Sequence, residues 1–408
     1  MNCRHCGAAV RLPLIDLGAS PPSNAYLSGT ALSAPETWYP LRVAVCEACW
    51  LVQTEDFAGR DAFFSEDYAY FSSFSTSWLR HSEAYVAAMA QRLGLDGTSL
   101  VVEVAANDGY LLQYVAARGI GALGIEPTAS TAQAARAKGL EIVEDFFGTD
   151  LARRLVAEGR SADLTAANNV LAHVPDINDF VAGFALLLKP DGVSTFEFPH
   201  LLNLIEQRQF DTIYHEHYSY LSLTAVATIF AANGLAVFDV EELPTHGGSL
   251  RVHAQRADTG ARPVGLAVAA MLAREAEAGI ATPGYYAALQ GQAEEIADAL
   301  NTFLIQARAE GLKVAGYGAA AKGNTLLNFA GIRPHLLPFV VDRNPAKAGR
   351  FLPGSRVPVV DEARLRAERP DHVLILPWNI ADEVMEQLSY IRDWGGRFVT
   401  AVPELRIA

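Results

Sequence analysis

Ser99-Leu100-Val101-Val102-Glu103-Val104-Ala105-Ala106-Asn107-Asp108-Gly109 decides how this chain folds. Ser99 to Ala105 is an almost unbroken apolar run with one acid, the pattern of a parallel strand buried on both faces. Small residues close the run and let backbone approach a ligand, and Tyr110 to Arg118 then reads as helix. A second strand, Ala122-Leu123-Gly124-Ile125, ends on Glu126. That acid lies about twenty residues beyond the first strand's loop, where α/β nucleotide sites place a carboxylate to accept two ribose hydroxyls. A helix over Ala129–Lys138 follows, then the segment Glu141 to Phe147, a strand over Leu164–Asn168 and a helix over Ile177–Leu188. Lys189-Pro190-Asp191-Gly192 is expected to turn the chain into a strand over Ser194–Phe198.

This order resembles the class I S-adenosylmethionine-dependent methyltransferases. The first loop lacks the three glycines that bring a pyrophosphate against a helix end, and a cofactor without phosphates needs no such cradle. The resemblance implies cofactor contacts at Glu103, Asn107, Asp108, Gly109, Glu126, Asn168 and Asp145, the last beside Phe146 and Phe147, which suit an adenine.

Outward toward the amino terminus, all four cysteines fall before residue 50, as Cys3-x-x-Cys6 and Cys46-x-x-Cys49. Two such knuckles supply four thiolates to a tetrahedral zinc, and a four-thiolate site is coordinatively closed, so the metal is expected to be structural. Leu14 to Gly18 reads as a short strand and Pro21-Pro22-Ser23-Asn24 as a turn. Glu66 to Ser75 is rich in aromatics and hydroxyls and leads into a helix at about 76–94; its aromatics either pack two domains together or cover a ligand.

Toward the carboxy terminus, residues 256–310 are alanine-rich and helical, broken at Pro263 and Pro283-Gly284. Leu312 to Thr325 then reads strand, glycine loop, helix: Gly316, Gly318 and Ala321 match a relaxed G-x-G-x-x-A, and a second strand, Leu337–Val341, ends at Asp342. Strands over His372–Leu376 and Arg397–Val402 complete a second Rossmann-like unit.

Chain length allows two or three domains: 408 residues, half of them hydrophobic, 19% charged. A net charge of −14 without a basic stripe argues against a nucleic-acid partner. No run approaches 18 uninterrupted apolar residues and the amino terminus has no signal-peptide core, so the expectation is a cytoplasmic protein, monomer or homodimer, with no membrane partner.

One stretch concentrates proton chemistry. Tyr214-His215-Glu216-His217-Tyr218-Ser219-Tyr220 puts two imidazoles, one carboxylate and three phenols within seven positions. Histidine titrates near neutrality, and a neighbouring carboxylate or phenol tunes it. The i, i+2 spacing of the histidines is not the i, i+4 of a helical zinc motif. Half-buried structural residues would read the same way.

The two cysteine pairs, Glu103 to Tyr110, Tyr214-His215-Glu216-His217, His246-Gly247-Gly248-Ser249-Leu250-Arg251 and Gly316 to Thr325 together resemble the nucleotide-sugar C-methyltransferases, which branch deoxysugars at C3. Ala106 departs from the family's serine. The resemblance runs nearly end to end. It implies an α/β protein with a class I methyltransferase Rossmann-like core (97–255), a small zinc-binding domain before it (1–65), an aromatic, helical linker and lid (66–96), a helical connector (256–310) and a second Rossmann-like domain that binds the nucleotide sugar (311–408). It further implies His217 as base, Tyr214 as donor to the enolate oxygen, Glu216 orienting the pair and His173 nearby. Substrate contacts are expected from Tyr68, Tyr70, His246, Arg251, Tyr317, Lys322, Asn324, Thr325 and Asp342. The alternatives are an O- or N-methyltransferase of a small metabolite, or an NAD-binding sugar oxidoreductase using the second glycine loop.

Overall fold

The computed structural model describes residues 1–57 and 71–408. β1 (Leu12–Ser20), β2 (Tyr39–Val45) and β3 (Val52–Thr54) build a small antiparallel sheet. α1 (Thr76–Leu93) begins where the Ser75 hydroxyl accepts from the Trp78 N–H, and it stops at Gly94, whose φ of 64° only glycine adopts readily.

The central unit alternates β4 (Leu100–Val104), α2 (Leu112–Ala116), β5 (Gly121–Ile125), α3 (Ala129–Ala137), β6 (Glu141–Val143), α4 (Thr149–Ala157), β7 (Ala162–Asn168), α5 (Ile177–Leu187) and β8 (Leu188–Pro199). α6 (Leu201–Glu206), β9 (Ser219–Tyr220), α7 (Leu223–Ala232), β10 (Leu235–Leu243) and β11 (Ser249–Arg256) follow. The sheet order is β10-β11-β8-β7-β4-β5-β6, with β11 antiparallel to both neighbours. This is the class I methyltransferase arrangement. Chain order reverses at β4, so the crevice at the carboxyl ends of β4, β5 and β7 is the natural place for a ligand.

α8 (Leu266–Ala278) and α9 (Leu289–Ala309) lead to β12 (Val314–Tyr317), α10 (Ala321–Phe329), β13 (Val340–Val341), β14 (Val359–Val360), α11 (Glu362–Glu368), β15 (His372–Ile375), α12 (Ala381–Gln387), β16 (Arg397–Thr400) and β17 (Arg406–Ile407). Their sheet runs β14-β13-β12-β15-β16-β17, parallel except for β17.

Three departures from the sequence reading have physical reasons. Lys189-Pro190-Asp191-Gly192 does not separate a helix from a strand; it bulges within β8, whose pairing to β7 jumps from Ala162↔Leu188 to Leu164↔Val193. The hairpin of β10 and β11 was not expected: β11 is buried from Ser249 to Gln255 although it carries Arg251 and His253, so no polar–apolar alternation marks it. The expected connector is not one unit: Val268 and Met271 of α8 pack into the central core, whereas Leu289, Ile296, Leu300 and Leu304 of α9 pack with Leu14, Val43, Leu326 and Val340. The zinc-side sheet and the carboxy-terminal domain thus share one core through α9. At about 1.5–3 kcal/mol per fully buried large aliphatic side chain, that core fixes their relative position.

Candidate active site

The four cysteine sulfurs all lie within 4.8 Å of one another, with Cys3–Cys49 and Cys6–Cys46 at 3.5 Å. A disulfide needs about 2.05 Å. A zinc tetrahedron with bonds of about 2.3 Å has edges of about 3.8 Å, so the geometry fits zinc. The two knuckles are matched: Gly7 and Trp50, each following a second cysteine, both have positive φ (74° and 60°). Gln53 Nε2 donates to Cys3 Sγ at 3.3 Å, a contact that steadies a ligand from outside the tetrahedron.

Between the central and carboxy-terminal units lies a cavity of about 410 Å³ that Asn24 of the zinc-side domain also lines. At its cofactor end, the loop after β4 turns through positive φ at Ala105 (60°) and Asn107 (48°). Glu126 holds that turn: Asn107 N–H donates to Oε2 at 2.9 Å and Thr128 N–H to Oε1 at 2.9 Å. Burial, partly offset by these donors, raises the Glu126 pKa. Glu126, Asn107, Asn168, Asp145, Phe146 and Phe147 all line the cavity. Asn168 Oδ1 is buried and has no partner among the described residues, and Glu126 keeps acceptor capacity after its two backbone bonds. These groups fit the amino acid, ribose and adenine portions of S-adenosylmethionine.

The remaining expected cofactor residues stand behind the lining. Glu103 is fully buried beside Tyr110, and burial pushes its pKa well up. Asp108 pairs with Lys138 at 3.3 Å. Gly109 has φ +76°, and a Cβ there would lie 2.3 Å from Leu140 Cδ1, so its place is set by packing against α3. Ala106 is fully buried; a Cβ on Gly124 would sit 2.9 Å from its methyl. Asp145, which does line the cavity, has its Oδ2 paired with Arg154 at 3.0 Å.

At the other end, Tyr214 to His217 is a tight turn closed by His217 N–H to Tyr214 C=O at 2.9 Å. The turn separates the two histidines. His215 reaches Tyr39 C=O at 3.2 Å on the zinc-side domain. His217 lines the cavity, its ring 4.0 Å from Tyr214 and 4.6 Å from His173. His217 Nδ1–H donates to Thr212 C=O at 3.1 Å, which fixes the tautomer and leaves Nε2 as the acceptor. Burial, with the neighbouring His173 imidazole second, holds the His217 pKa well below its usual value, so the ring is neutral near pH 7. His173 donates from Nδ1 to Glu216 C=O at 2.9 Å, and burial holds its pKa at about 4.

Glu216 does not orient His217, as the sequence suggested. Both its oxygens accept from Asn24 Nδ2 (2.8 and 2.9 Å), and burial pushes its pKa up to about 7. The orienting group is the Thr212 carbonyl, which no side-chain pattern signals.

The expected substrate residues divide. His246 lines the cavity, at φ 55°, hydrogen-bonded to Asn169 (3.1 Å) and edge-on to Trp78 (5.3 Å). Lys322 also lines it. Arg251 does not: its guanidinium is spent on buried Glu197 (2.8 Å) and on His81 (3.0 Å), over the Tyr85 ring. Tyr317 packs into the core with Phe339 and Leu365. Thr325 donates to Ile213 C=O at 2.9 Å, Asn324 is buried away from the lining, and Asp342 accepts from the N–H groups of Ala319 in the glycine loop and of Asn344. Tyr68 and Tyr70 lie outside the described residues. Sequence reasoning missed Asn24, Trp78, Asn169, Lys347 and Asn379 in the lining. Each belongs to a turn or helix end whose relation to the cavity only the tertiary fold defines.

Family profiles match along the chain: a zinc binding domain at residues 3–64, a methyltransferase domain at 78–240 and a C-methyltransferase C-terminal domain at 244–403. The C-methyltransferase NovU of Streptomyces niveus is 34% identical over 408 residues, all of this chain and 96% of that protein. The chain belongs to the C-methyltransferase family. The enzyme is an S-adenosylmethionine-dependent C-methyltransferase with a zinc-binding domain. Among solved structures, magnesium protoporphyrin IX methyltransferase from Synechocystis with bound SAM aligns at 17% identity and TM-score 0.35, over 44% of this chain and 79% of that one. A Pyrococcus horikoshii protein aligns at 14% identity and TM-score 0.38, over 46% and 95%. Among the described residues no helix is long and apolar enough to cross a membrane.

Proposed function

We propose that this C-methyltransferase acts at C3 of a nucleoside-diphosphate 4-keto-6-deoxyhexose. The observation that carries the reading is His217: a buried neutral imidazole with Nδ1–H fixed on Thr212 and Nε2 available on the cavity side, flanked by Tyr214 and His173. Methyl transfer to oxygen or nitrogen has less need of such a base, because those atoms already carry a lone pair. Carbon needs one: His217 Nε2 takes the proton α to the 4-ketone, and the C–H electron pair becomes the enolate. Tyr214 donates a hydrogen bond to the developing oxyanion. S-adenosylmethionine supplies an electrophilic methyl; C3 forms the new bond as the sulfonium–methyl bond breaks, and the ketone is restored. Glu126 and Asn168 hold the donor at the opposite end of the cavity.

General-base action contributes about 10²–10⁴-fold. His217→Asn is therefore expected to abolish exchange of the C3 proton with D2O and methyl transfer, while cofactor affinity measured by calorimetry stays within about twofold. Wild-type-like exchange in this variant would remove His217 from the role. Incubating the wild type with thymidine, uridine and cytidine diphosphate 4-keto-6-deoxyhexoses and methyl-labelled cofactor, with mass gain and deuterium uptake followed together, identifies the substrate class.

A further inference from the structure

The second glycine loop carries a lysine whose position is set by the base's own segment. Lys322 stands in the first turn of α10 and lines the same cavity as His217, Tyr214 and His246. Its Nζ donates to Asn379 Oδ1 at 2.6 Å and lies 4.7 Å from the centre of the Trp378 ring. An ammonium has three N–H donors, and Asn379 is the one hydrogen-bond acceptor Lys322 has among the described residues. Two N–H groups remain for a ligand.

What fixes this ammonium is the three-residue stretch before Tyr214. Asp211 accepts from Trp378 Nε1 at 2.8 Å and is the anion whose charge supports Lys322. Thr212 C=O holds His217 Nδ1–H at 3.1 Å. Ile213 C=O accepts from Thr325 Oγ1 at 2.9 Å and so docks α10, three residues past Lys322, onto the same segment. Base and ammonium therefore belong to one rigid assembly, although about a hundred residues separate them in the chain. Phosphates of a nucleotide could be held by any flexible surface lysine; a cation registered to the base answers a different need.

We infer that Lys322 is a catalytic residue that stabilises the enolate oxygen together with Tyr214, rather than a ligand of the nucleotide's phosphates. In the resting site the Lys322 charge acts against protonation of both His217 and His246. That repulsion adds a small part to the burial that keeps the base neutral. Once the C3 proton moves to His217, the negative charge on the substrate oxygen lies between two cations, so the interaction is stronger in the transition state than in the ground state. Burial lowers the Lys322 pKa to about 8, opposed by Asp211, so at neutral pH the ammonium form prevails.

This inference rests on the enolate reading above. The test measures C3 deuterium exchange and methyl transfer with thymidine diphosphate 4-keto-6-deoxyglucose in wild type, Lys322→Met and Asn379→Ala, with melting curves and cofactor calorimetry on each. Removal of one oxyanion donor is typically worth about 10²–10³-fold. Lys322→Met is expected to slow exchange at saturating substrate by about 10²-fold with KM within about threefold. Asn379→Ala, which frees the ammonium without removing it, is expected to slow it by about tenfold and also serves if Lys322→Met fails to fold. If KM rises tenfold or more in either variant while exchange at saturation is unchanged, Lys322 binds phosphate and the proposal is overturned. Absence of exchange and of methylation in the wild type removes the enolate reading and this proposal together; normal wild-type exchange with unaffected variants removes this proposal alone.

Discussion

The two α/β halves solve the same local problem and use the solution differently. In each, the first strand ends in a small-residue loop, and an acid at the end of the second strand ties that loop down. Glu126 accepts from Asn107 and Thr128 N–H, both at 2.9 Å; Asp342 accepts from Ala319 and Asn344 N–H, both at 2.8 Å. The difference is what stands on the other side of the acid. Glu126 lines the cavity, and no ion pair answers it among the described residues. Asp342 has Lys347 at 3.6 Å, and Lys347 also donates to Ala319 C=O at 2.8 Å. One latch keeps acceptor capacity for a ligand; the other is closed by a cation of its own domain. Loop and acid are therefore a feature of the fold, and the binding function lies in what is left unsatisfied.

Exchanging the acids breaks the comparison most sharply. Glu126→Ala is expected to weaken S-adenosylmethionine binding by about 10²-fold, the loss of two hydrogen bonds from the ribose hydroxyls, with the fold retained by circular dichroism. Asp342→Ala leaves cofactor affinity unchanged in the same calorimetric titration and lowers stability instead; a cofactor effect there equal to that of Glu126→Ala would dissolve the distinction.

The glycines sharpen it. A Cβ on Gly109 would lie 2.3 Å from Leu140 Cδ1 and one on Gly318 2.4 Å from Pro377 Cδ, both at positive φ (+76° and +85°). Each alanine variant is expected to lose about 2–3 kcal/mol in urea titration from overpacking and backbone strain. Of the two, Gly109→Ala alone displaces the cofactor loop.

A smaller effect concerns Glu216, the acid lying between the halves. Its pKa is pushed up to about 7 from an ordinary 4.5, mainly by burial. Between those values the unfolded chain has released the proton that the folded chain retains, so stability falls as pH rises through that window and the cost is complete above about pH 7. Glu216→Gln is expected to flatten this part of the stability profile and raise the melting temperature at pH 8 relative to wild type. An unchanged profile would mean that folding does not raise the Glu216 pKa.

Most of the central sheet was legible because its strands are buried on both faces and written as apolar runs, as in Val101–Val104 and Leu164–Asn168. Cysteine spacing was equally plain. The residues around the cavity were less so. Arg251 sits in a motif that looks ligand-directed, yet its charge neutralises Glu197 beneath the site. Asp342 looks identical to Glu126 in sequence, and only Lys347 distinguishes them. His215 and His217 could be told apart only by the turn between them, because an i, i+2 pair shares a face in a strand and diverges here. Backbone partners such as Thr212 C=O have no sequence signature at all.

The zinc-side sheet does not end with the zinc-side segment. β3 pairs with β9, Val52 with Tyr220 and Gln53 with Ser219, while Thr54 bonds to the backbone of Tyr218 and His217. During synthesis, β3 must wait for about 160 further residues before β9 covers its edge. In the interval the β3 edge is open to wrong partners. A slow phase in refolding should therefore report on closure of this sheet, and the catalytic turn comes into register in the same event.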